Sequence, residues 1–427
     1  MAPRVGAATR RPRAAIVASG SELVRGDRHD RNGPFLASSL MRLGVEPVRI
    51  TVVGDDPVEL EQALAEGLTH DLVCVSGGLG PTHDDRTMEL LARAAGRRVH
   101  VDLELEAEIG RISRGIASRL KRPYADFADG VQKQATVPVG SFVVGIAGTA
   151  PAIVLDTGSA VAVALPGPPR ELQELWPDVL AAPVMRRLLA RAVPPERRVL
   201  RFYGLSESGL ALALAEAGGD GGGVDVTICA RDFELVADLV VHGGADARAD
   251  ALEAALAAAG TGRHLFARDD EPTAAIVLRL LRERGLTLAT AESCTGGLVA
   301  ARLTAIAGSS DVFVGSVVSY SDEVKRSELG VPEETLRAYG AVSAETAAAM
   351  AAGARERLGA DVAVAVTGIA GPGGGSAEKP VGLVFCHAAG PEGERSLQLD
   401  LPGDRETVRA RAAVAALHLI RTLVTES

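Results

Sequence analysis

Two short clusters in the last third of the chain bring together a serine, a lysine and a tyrosine whose types suit an activated hydroxyl and a base. Residues 291–297 read AESCTGG and set Ser293 between an apolar run and a helical stretch. A strand-to-helix turn there exposes the hydroxyl. The small Gly296 and Gly297 let a substrate approach the helix start, where free N–H groups hold a phosphate or an oxyanion. A serine needs a base to become nucleophilic, and no histidine lies near this cluster in sequence. Lys325, closing the run SYSDEVK at 319–325, is the better candidate, because lysine gives up its charge readily when desolvated. Tyr320, about one helical turn earlier, is placed to relay the proton. Each residue also has an ordinary reading: Ser293 as an N-cap, Lys325 as a surface charge, Cys294 as a small buried hydrophobe. The residues alone point to an α/β enzyme with an anionic ligand.

The elements that position these groups follow from periodicity. Short Val/Ile-rich runs alternate with longer Ala/Leu/Glu/Arg stretches of helical period, the pattern of α/β units with largely parallel sheets. It occurs in two blocks, residues 12–170 and 272–427. Strands are expected near 14–19, 47–53, 71–76 and 160–165 in the first, and near 286–290, 312–320, 361–367 and 382–387 in the last. Helices in the first block are expected near 32–43, 57–68 and 87–95. Ligands of open α/β sheets bind beyond the carboxyl ends of the strands. Ser293, Lys325 and the glycine-rich loop TGIAGPGGG (367–375) all fall at such ends. Residues 171–260 read as a smaller α+β segment, 261–271 as a linker, and 1–11 as a disordered basic tail. The fold class expected is thus two three-layer α/β domains with mostly parallel sheets, joined by a small α+β domain.

The first block gathers its own chemistry at strand ends. SGSE (19–22), GDD (54–56), SGGLGPTHDDRT (76–87) and LPGPPREL (165–172) bring glycines that cradle phosphates and carboxylates, Asp55, Asp56, Asp84 and Asp85, that suit a divalent cation. Asp55 and Asp56 are equally readable as helix caps.

Composition narrows the class. Hydrophobic residues make up 47%, enough for a core in each block, and the net charge of −10 disfavours a nucleic-acid partner. The four cysteines are scattered, without metal-ligand spacing; free thiols suit a reducing cytoplasm. No stretch reads as a membrane span or signal peptide.

The ordered motifs AESCTGG, AGSSDVF (307–313), SYSDEVK, LGVPEETL (329–336), GAVSAETA (340–347), TGIAGPGGG, EKPVGLV (378–384) and GDRE (403–406) resemble the CinA C-terminal domain, the nicotinamide-nucleotide amidase family. The resemblance implies hydrolysis of the carboxamide of nicotinamide mononucleotide, without a cofactor. Ser293 would be the nucleophile, Lys325 its base and Tyr320 the proton relay. Glu292, Thr295, Gly296, Gly297, Thr367, Gly368 and Gly371 would line the substrate site, and Arg405 would hold the 5′-phosphate. For Glu292, orienting Lys325 and holding the helix start stay open alternatives. The first block is similar to the molybdopterin-binding domain at the N-terminus of CinA proteins. That resemblance implies a metal-dependent ADP-ribose pyrophosphatase, with Glu22, Asp84 and Asp85 as site residues and Gly78, Gly80 and Thr82 near the phosphates. A divalent ion (magnesium, manganese or cobalt) would sit on Asp84 and Asp85. Two positions depart from the family pattern: Ser21 where threonine is usual, and Ala152 where a glycine usually ends the motif, so that a methyl group narrows a loop beside the ligand. The segment 171–260 is similar to the family's KH-like connecting domain, but Asp220 in its G-x-x-G argues against clamping nucleic acid. The family also implies a homodimer. The alternative function is a non-catalytic nucleotide- or pterin-binding regulator linked to competence or DNA damage.

Overall fold

The computed structural model describes residues 11–258 and 260–425. The basic tail expected over residues 1–11 lies outside them apart from Arg11. Two compact units result, the first running to residue 196 with 241–244, the second comprising 197–240 and the chain from 245 onward. It is a mixed α/β protein with several sheets.

The first unit is built on a six-stranded sheet in the order Glu46–Val53, Arg13–Ser19, Leu72–Ser76, Val161–Leu165, Ala150–Asp156, Ser141–Ala147. The first four are the strands expected from sequence, and they run parallel. Leu72–Ser76 and Val161–Leu165 are buried throughout, as central parallel strands covered on both faces must be. The last two join antiparallel. Ala152 therefore lies in a strand, fully buried and paired with Gly145, not in the loop the sequence reading supposed. Helices Pro169–Ala181 and Pro183–Leu189 press Leu172, Trp176 and Met185 into the core formed by Ile16, Leu36, Cys74 and Val163. The first unit thus extends past the expected boundary at residue 170, because these helices cover its sheet.

The second unit holds two sheets. A four-stranded one orders Val224–Arg231, Glu234–Val241, Glu196–Phe202 and Leu265–Ala267. The stretch expected as a linker supplies its edge strand, Leu265–Ala267, antiparallel to the strand that ends at Phe202. The five-stranded sheet orders Phe313–Val318, Leu288–Glu292, Val362–Gly368, Leu383–Gly390 and Gly393–Asp400. Its first three strands are parallel and the next two antiparallel. The expectation of a mostly parallel sheet holds for the first unit and fails here, since Leu383–Gly390 runs antiparallel to Val362–Gly368 and a hairpin then adds Gly393–Asp400. The consequence is geometric. The carboxyl ends of the first three strands share a rim with the end of Gly393–Asp400, and the helix Arg405–Thr425 begins beside it.

A polar cluster is buried within the second unit. Glu234 accepts hydrogen bonds from the Arg201 guanidinium, the Thr273 hydroxyl and His418 Nε2, the last at 2.8 Å. Arg201, Glu234 and His418 are each almost excluded from solvent. The His418 ring stacks on Tyr203 with centroids 3.7 Å apart, and its Nδ1 faces Arg421 Nε at 3.3 Å. Those partners call for a neutral ring protonated on Nε2. Burial lowers the His418 pKa, partly opposed by Glu234. Burial alone would raise Glu234, but His418, Thr273 and Arg201 hold it below its ordinary value.

Glu234→Ala leaves Arg201 as a buried unpaired charge, an expected loss of about 3–5 kcal/mol in urea unfolding. Because His418 binds its proton more weakly folded than unfolded, its contribution is complete above its ordinary pKa of 6.5 and declines as pH falls below it. Stability measured from pH 7.5 to 5.5 should therefore fall, and less steeply in His418→Gln.

Candidate active site

Ser293 follows directly on the buried strand Leu288–Glu292 and is itself 8% exposed. Its N–H extends the ladder to Val366 O at 2.9 Å, and its carbonyl accepts from Gly296 N at 3.1 Å. The turn is closed by Gly296 and Gly297 at φ +61° and +92°, the left-handed region where a side chain would be strained. Glu292, with no exposed surface, points its carboxylate at the start of the helix Leu298–Thr304. It accepts from the backbone N–H groups of Gly297 at 3.0 Å, Val299 at 3.1 Å and Ala300 at 2.8 Å. The alternatives for Glu292 are thereby resolved in favour of the helix start. The N–H groups expected to be free for a substrate anion are taken by the chain's own carboxylate.

The neighbouring strand Phe313–Val318 delivers the base. Ser319 N donates to Glu292 O at 2.9 Å, and Lys325 Nζ donates to Ser319 O at 3.0 Å and Tyr320 O at 3.5 Å. A single residue thus links the nucleophile's strand end to the lysine head. Ser321 caps the helix Asp322–Leu329 by accepting from Val324 N at 3.3 Å. Lys325 in its first turn is 1% exposed, contrary to the usual surface placement of lysine. Burial lowers its pKa, opposed by Asp322, whose Oδ1 lies 3.7 Å away. Cys294, adjacent to the serine, is pushed up to about 12, first by burial and further by Glu292. It stays a protonated thiol.

Tyr320 is well exposed, and its hydroxyl accepts from Arg405 Nη2 at 2.8 Å. Arg405 Nη1 donates to Gly371 O at 2.7 Å, so one guanidinium spans from the tyrosine to the glycine-rich loop. Thr367 is buried, its hydroxyl donating to Ala341 O at 2.6 Å. Thr295 is also buried, and its hydroxyl has no partner among the described residues. Gly368 is enclosed, since a Cβ there would meet Leu383 O at 2.7 Å. Two groups were not singled out by sequence. Lys379 Nζ ties the loop to Tyr339 O and Val342 O at 2.6 and 2.7 Å. Arg409 holds the carbonyls of Cys294 and Thr295; its spacing of four from Arg405 puts both on one helix face.

In the first unit the expected site residues divide between two cavities. Glu22 lines one of about 560 Å³ with Ser19, Arg28, Asn32, Ser76 and Gly167. Gly78, Gly80 and Asp85 line another of about 270 Å³ with Arg86, Glu89 and Lys133. The Asp85 carboxylate accepts from Thr82 N at 2.9 Å and Thr82 Oγ1 at 2.6 Å. Asp84 also lies against the Thr82 hydroxyl, a contact that lowers its pKa. Asp56 caps the helix Pro57–Gly67, while Asp55 pairs with Ser21 N. No group of three or more His, Cys, Asp or Glu that could hold a metal ion occurs among the described residues, nor any helix long and apolar enough to cross a membrane.

A buried serine-and-lysine rim on one α/β unit and a glycine-rich strand-end loop on the other define a two-part α/β protein. Comparison with known families gives that class a name. The CinA C-terminal domain matches residues 270–424, and the family described as "Probable molybdopterin binding domain" matches 15–187. A CinA-like protein of Mycobacterium marinum is 43% identical over 97% of this chain and 99% of its own length. One from Mycobacterium tuberculosis is 40% identical over 96% of each. The chain belongs to the CinA family. Among solved structures, a competence/damage-inducible protein from Agrobacterium tumefaciens is 46% identical over 35% of this chain and 93% of that chain, with a TM-score of 0.35.

Removing the carboxylate in Glu292→Ala leaves buried amides without an acceptor, each worth about 1–3 kcal/mol. Urea unfolding should show a loss at least that large, whereas Glu323→Ala, at an exposed position, should change stability by less than about 0.5 kcal/mol.

Proposed function

We propose that the second unit hydrolyses the carboxamide of nicotinamide mononucleotide, releasing ammonia and nicotinate mononucleotide. The observation that carries the reading is Lys325, buried and lowered in pKa, one residue's ladder away from the strand end that bears Ser293. Neutral Lys325 takes the proton as Ser293 Oγ attacks the carboxamide carbon. The tetrahedral oxyanion collapses, the C–N bond breaks, and the proton passes to the departing nitrogen. Water, deprotonated in turn by the lysine, attacks the ester carbon; the C–Oγ bond breaks, the lysine returns the proton to Ser293 Oγ, and the acid is freed. Tyr320, exposed and bonded to Arg405, serves the proton transfers in this reading. Arg405, with N–H groups beyond the two it uses here, suits the 5′-phosphate as a planar fork.

The first unit, in this reading, cleaves the pyrophosphate of ADP-ribose. Asp84 and Asp85 are two carboxylates on one glycine-rich loop, a donor set that fits a magnesium-type ion whose remaining ligands are waters and substrate phosphates. They would hold that ion, which would neutralise phosphate charge. Gly78, Gly80 and Thr82 would lie along the phosphates, and Glu22 would act from the neighbouring cavity. The protein would then recycle pyridine nucleotides in the cytoplasm as a homodimer. The family description also favours a second reading for this unit, that it binds a pterin or nucleotide without turnover.

Purified protein should release ammonia from nicotinamide mononucleotide, while Ser293→Ala and Lys325→Ala should lose at least about 1,000-fold in kcat. Ammonia at the wild-type rate from either variant would refute the assignment. The rate should rise with pH through an apparent pKa below the ordinary lysine value of 10.5, and Asp322→Asn should move the rise to lower pH, because Asp322 raises Lys325. With ADP-ribose and magnesium, manganese or cobalt, AMP should form and disappear in Asp84→Asn/Asp85→Asn. No AMP with any of the three metals would leave the binding reading in its place.

A further inference from the structure

The turn that carries Ser293 is gripped from two directions. Glu292 holds it from its own strand through the N–H groups that follow. The second grip comes from more than a hundred residues away, in the first turns of the helix Arg405–Thr425. There Arg409 donates Nε to Cys294 O at 3.2 Å and Nη2 to Thr295 O at 2.8 Å. These are the carbonyls of the two residues after the nucleophile.

A planar guanidinium that binds two successive carbonyls sets the orientation of both peptide planes, which a flexible point charge does not do. A trans peptide points its N–H opposite its C=O. Tying Thr295 O to Arg409 therefore turns the Gly296 N–H away from the helix, and it closes on Ser293 O at 3.1 Å. The path from the guanidinium to the nucleophile's own backbone is one peptide long. Gly296, at φ +61°, adopts the left-handed backbone this turn requires, and a Cβ there would stand in ordinary contact with Nη2 at 3.4 Å.

We infer that Arg409 is a positioning residue for Ser293: its fork fixes the peptide planes of 294–296 and so aims the serine hydroxyl at the scissile carbon. This rests on the reading of Ser293 as the nucleophile. Arg409 bonds the turn and not the substrate, so its loss should appear in kcat and leave substrate binding intact.

The test compares the full-length wild type with Arg409→Ala and Arg409→Lys in two assays: ammonia release from nicotinamide mononucleotide, and the rate at which a fluorophosphonate probe labels Ser293, located by mass spectrometry. The second assay needs no knowledge of the substrate. Misplacing a nucleophile by about 1 Å costs on the order of 100-fold, so Arg409→Ala should lose about that much in kcat, with KM within about twofold. Labelling should slow in parallel. Added guanidinium ion should restore part of both rates in Arg409→Ala and none in Ser293→Ala, and Arg409→Lys, which keeps one donor head, should fall between. A wild-type kcat in Arg409→Ala, a loss confined to KM, or a loss that neither guanidinium nor lysine recovers would overturn the inference. Should the alanine variant fail to fold, Arg409→Lys decides, and a full wild-type rate without the fork refutes it. If wild type releases no ammonia, the amide reading falls and labelling alone decides: equal labelling of wild type and variant, or labelling of neither, overturns the role.

Discussion

The second unit depends on one buried carboxylate. Glu292 has no exposed surface, yet it stays satisfied because three backbone N–H groups converge on it. A helix start collects such unpaired donors and the positive end of the helix dipole. Filling it from within has two effects. The turn bearing Ser293 is locked to its own strand, and no ligand anion competes for those N–H groups. Under the proposed reading, a substrate phosphate would be met elsewhere on the rim, where Arg405 reaches between Tyr320 and the glycine-rich loop. The same carboxylate helps keep the Cys294 thiol protonated. Of two adjacent nucleophile candidates, the environment therefore suppresses the sulfur and leaves the hydroxyl.

The two buried charges of this rim illustrate opposite solutions to desolvation. Glu292 is met by three backbone donors. Lys325 finds carbonyl acceptors from Ser319 and Tyr320 and a carboxylate at 3.7 Å, but burial still prevails and lowers its pKa. The residue that holds the turn is fully partnered, and the residue that accepts the proton under the proposed reading is left short of partners.

Much of this was legible in the sequence, and the parts that were not share a cause. Three of the four parallel strands of the first unit could be read from continuous apolar runs at 14–18, 72–75 and 161–165, whereas Glu46–Val53, interrupted by Arg49 and Thr51, was read from its Val/Ile content. The hairpin Ser141–Ala147 and Ala150–Asp156 has comparable apolar runs, so composition alone did not mark it. Ser293, Lys325 and the glycine-rich loop stood out by residue type at strand ends. Glu292 and Arg409 did not, because their roles depend on which backbone atoms they reach. A glutamate after an apolar run has no sequence mark distinguishing a helix anchor from a ligand. An arginine on a helix has none distinguishing a distant clamp from a surface charge until the fold brings the Cys294 and Thr295 carbonyls under it. The parallel-sheet expectation failed in the second unit for a related reason: the direction of Leu383–Gly390 against Val362–Gly368 is decided by the connection 369–382 rather than by the strands' own composition.

The same separation between residue type and placement governs the first unit. Asp84 and Asp85 were candidates because paired carboxylates beside a glycine-rich loop suit a hard cation. In the structure both lie on Thr82, and Lys133 donates to the carbonyl of that same threonine. A loop so cross-tied is already shaped before any ligand arrives, which reduces the ordering cost of binding. It also offers too few oxygens to hold an ion by itself. Under the proposed reading, metal and pyrophosphate would bind together, each supplying contacts the other lacks, so occupancy of the ion would follow the nucleotide. Glu22 lines a separate cavity beyond Ser76 and Gly167. Ser76 lines one space and Gly78 the other, two residues apart at one strand end, so under the proposed reading ADP-ribose would have to lie along that end to reach both.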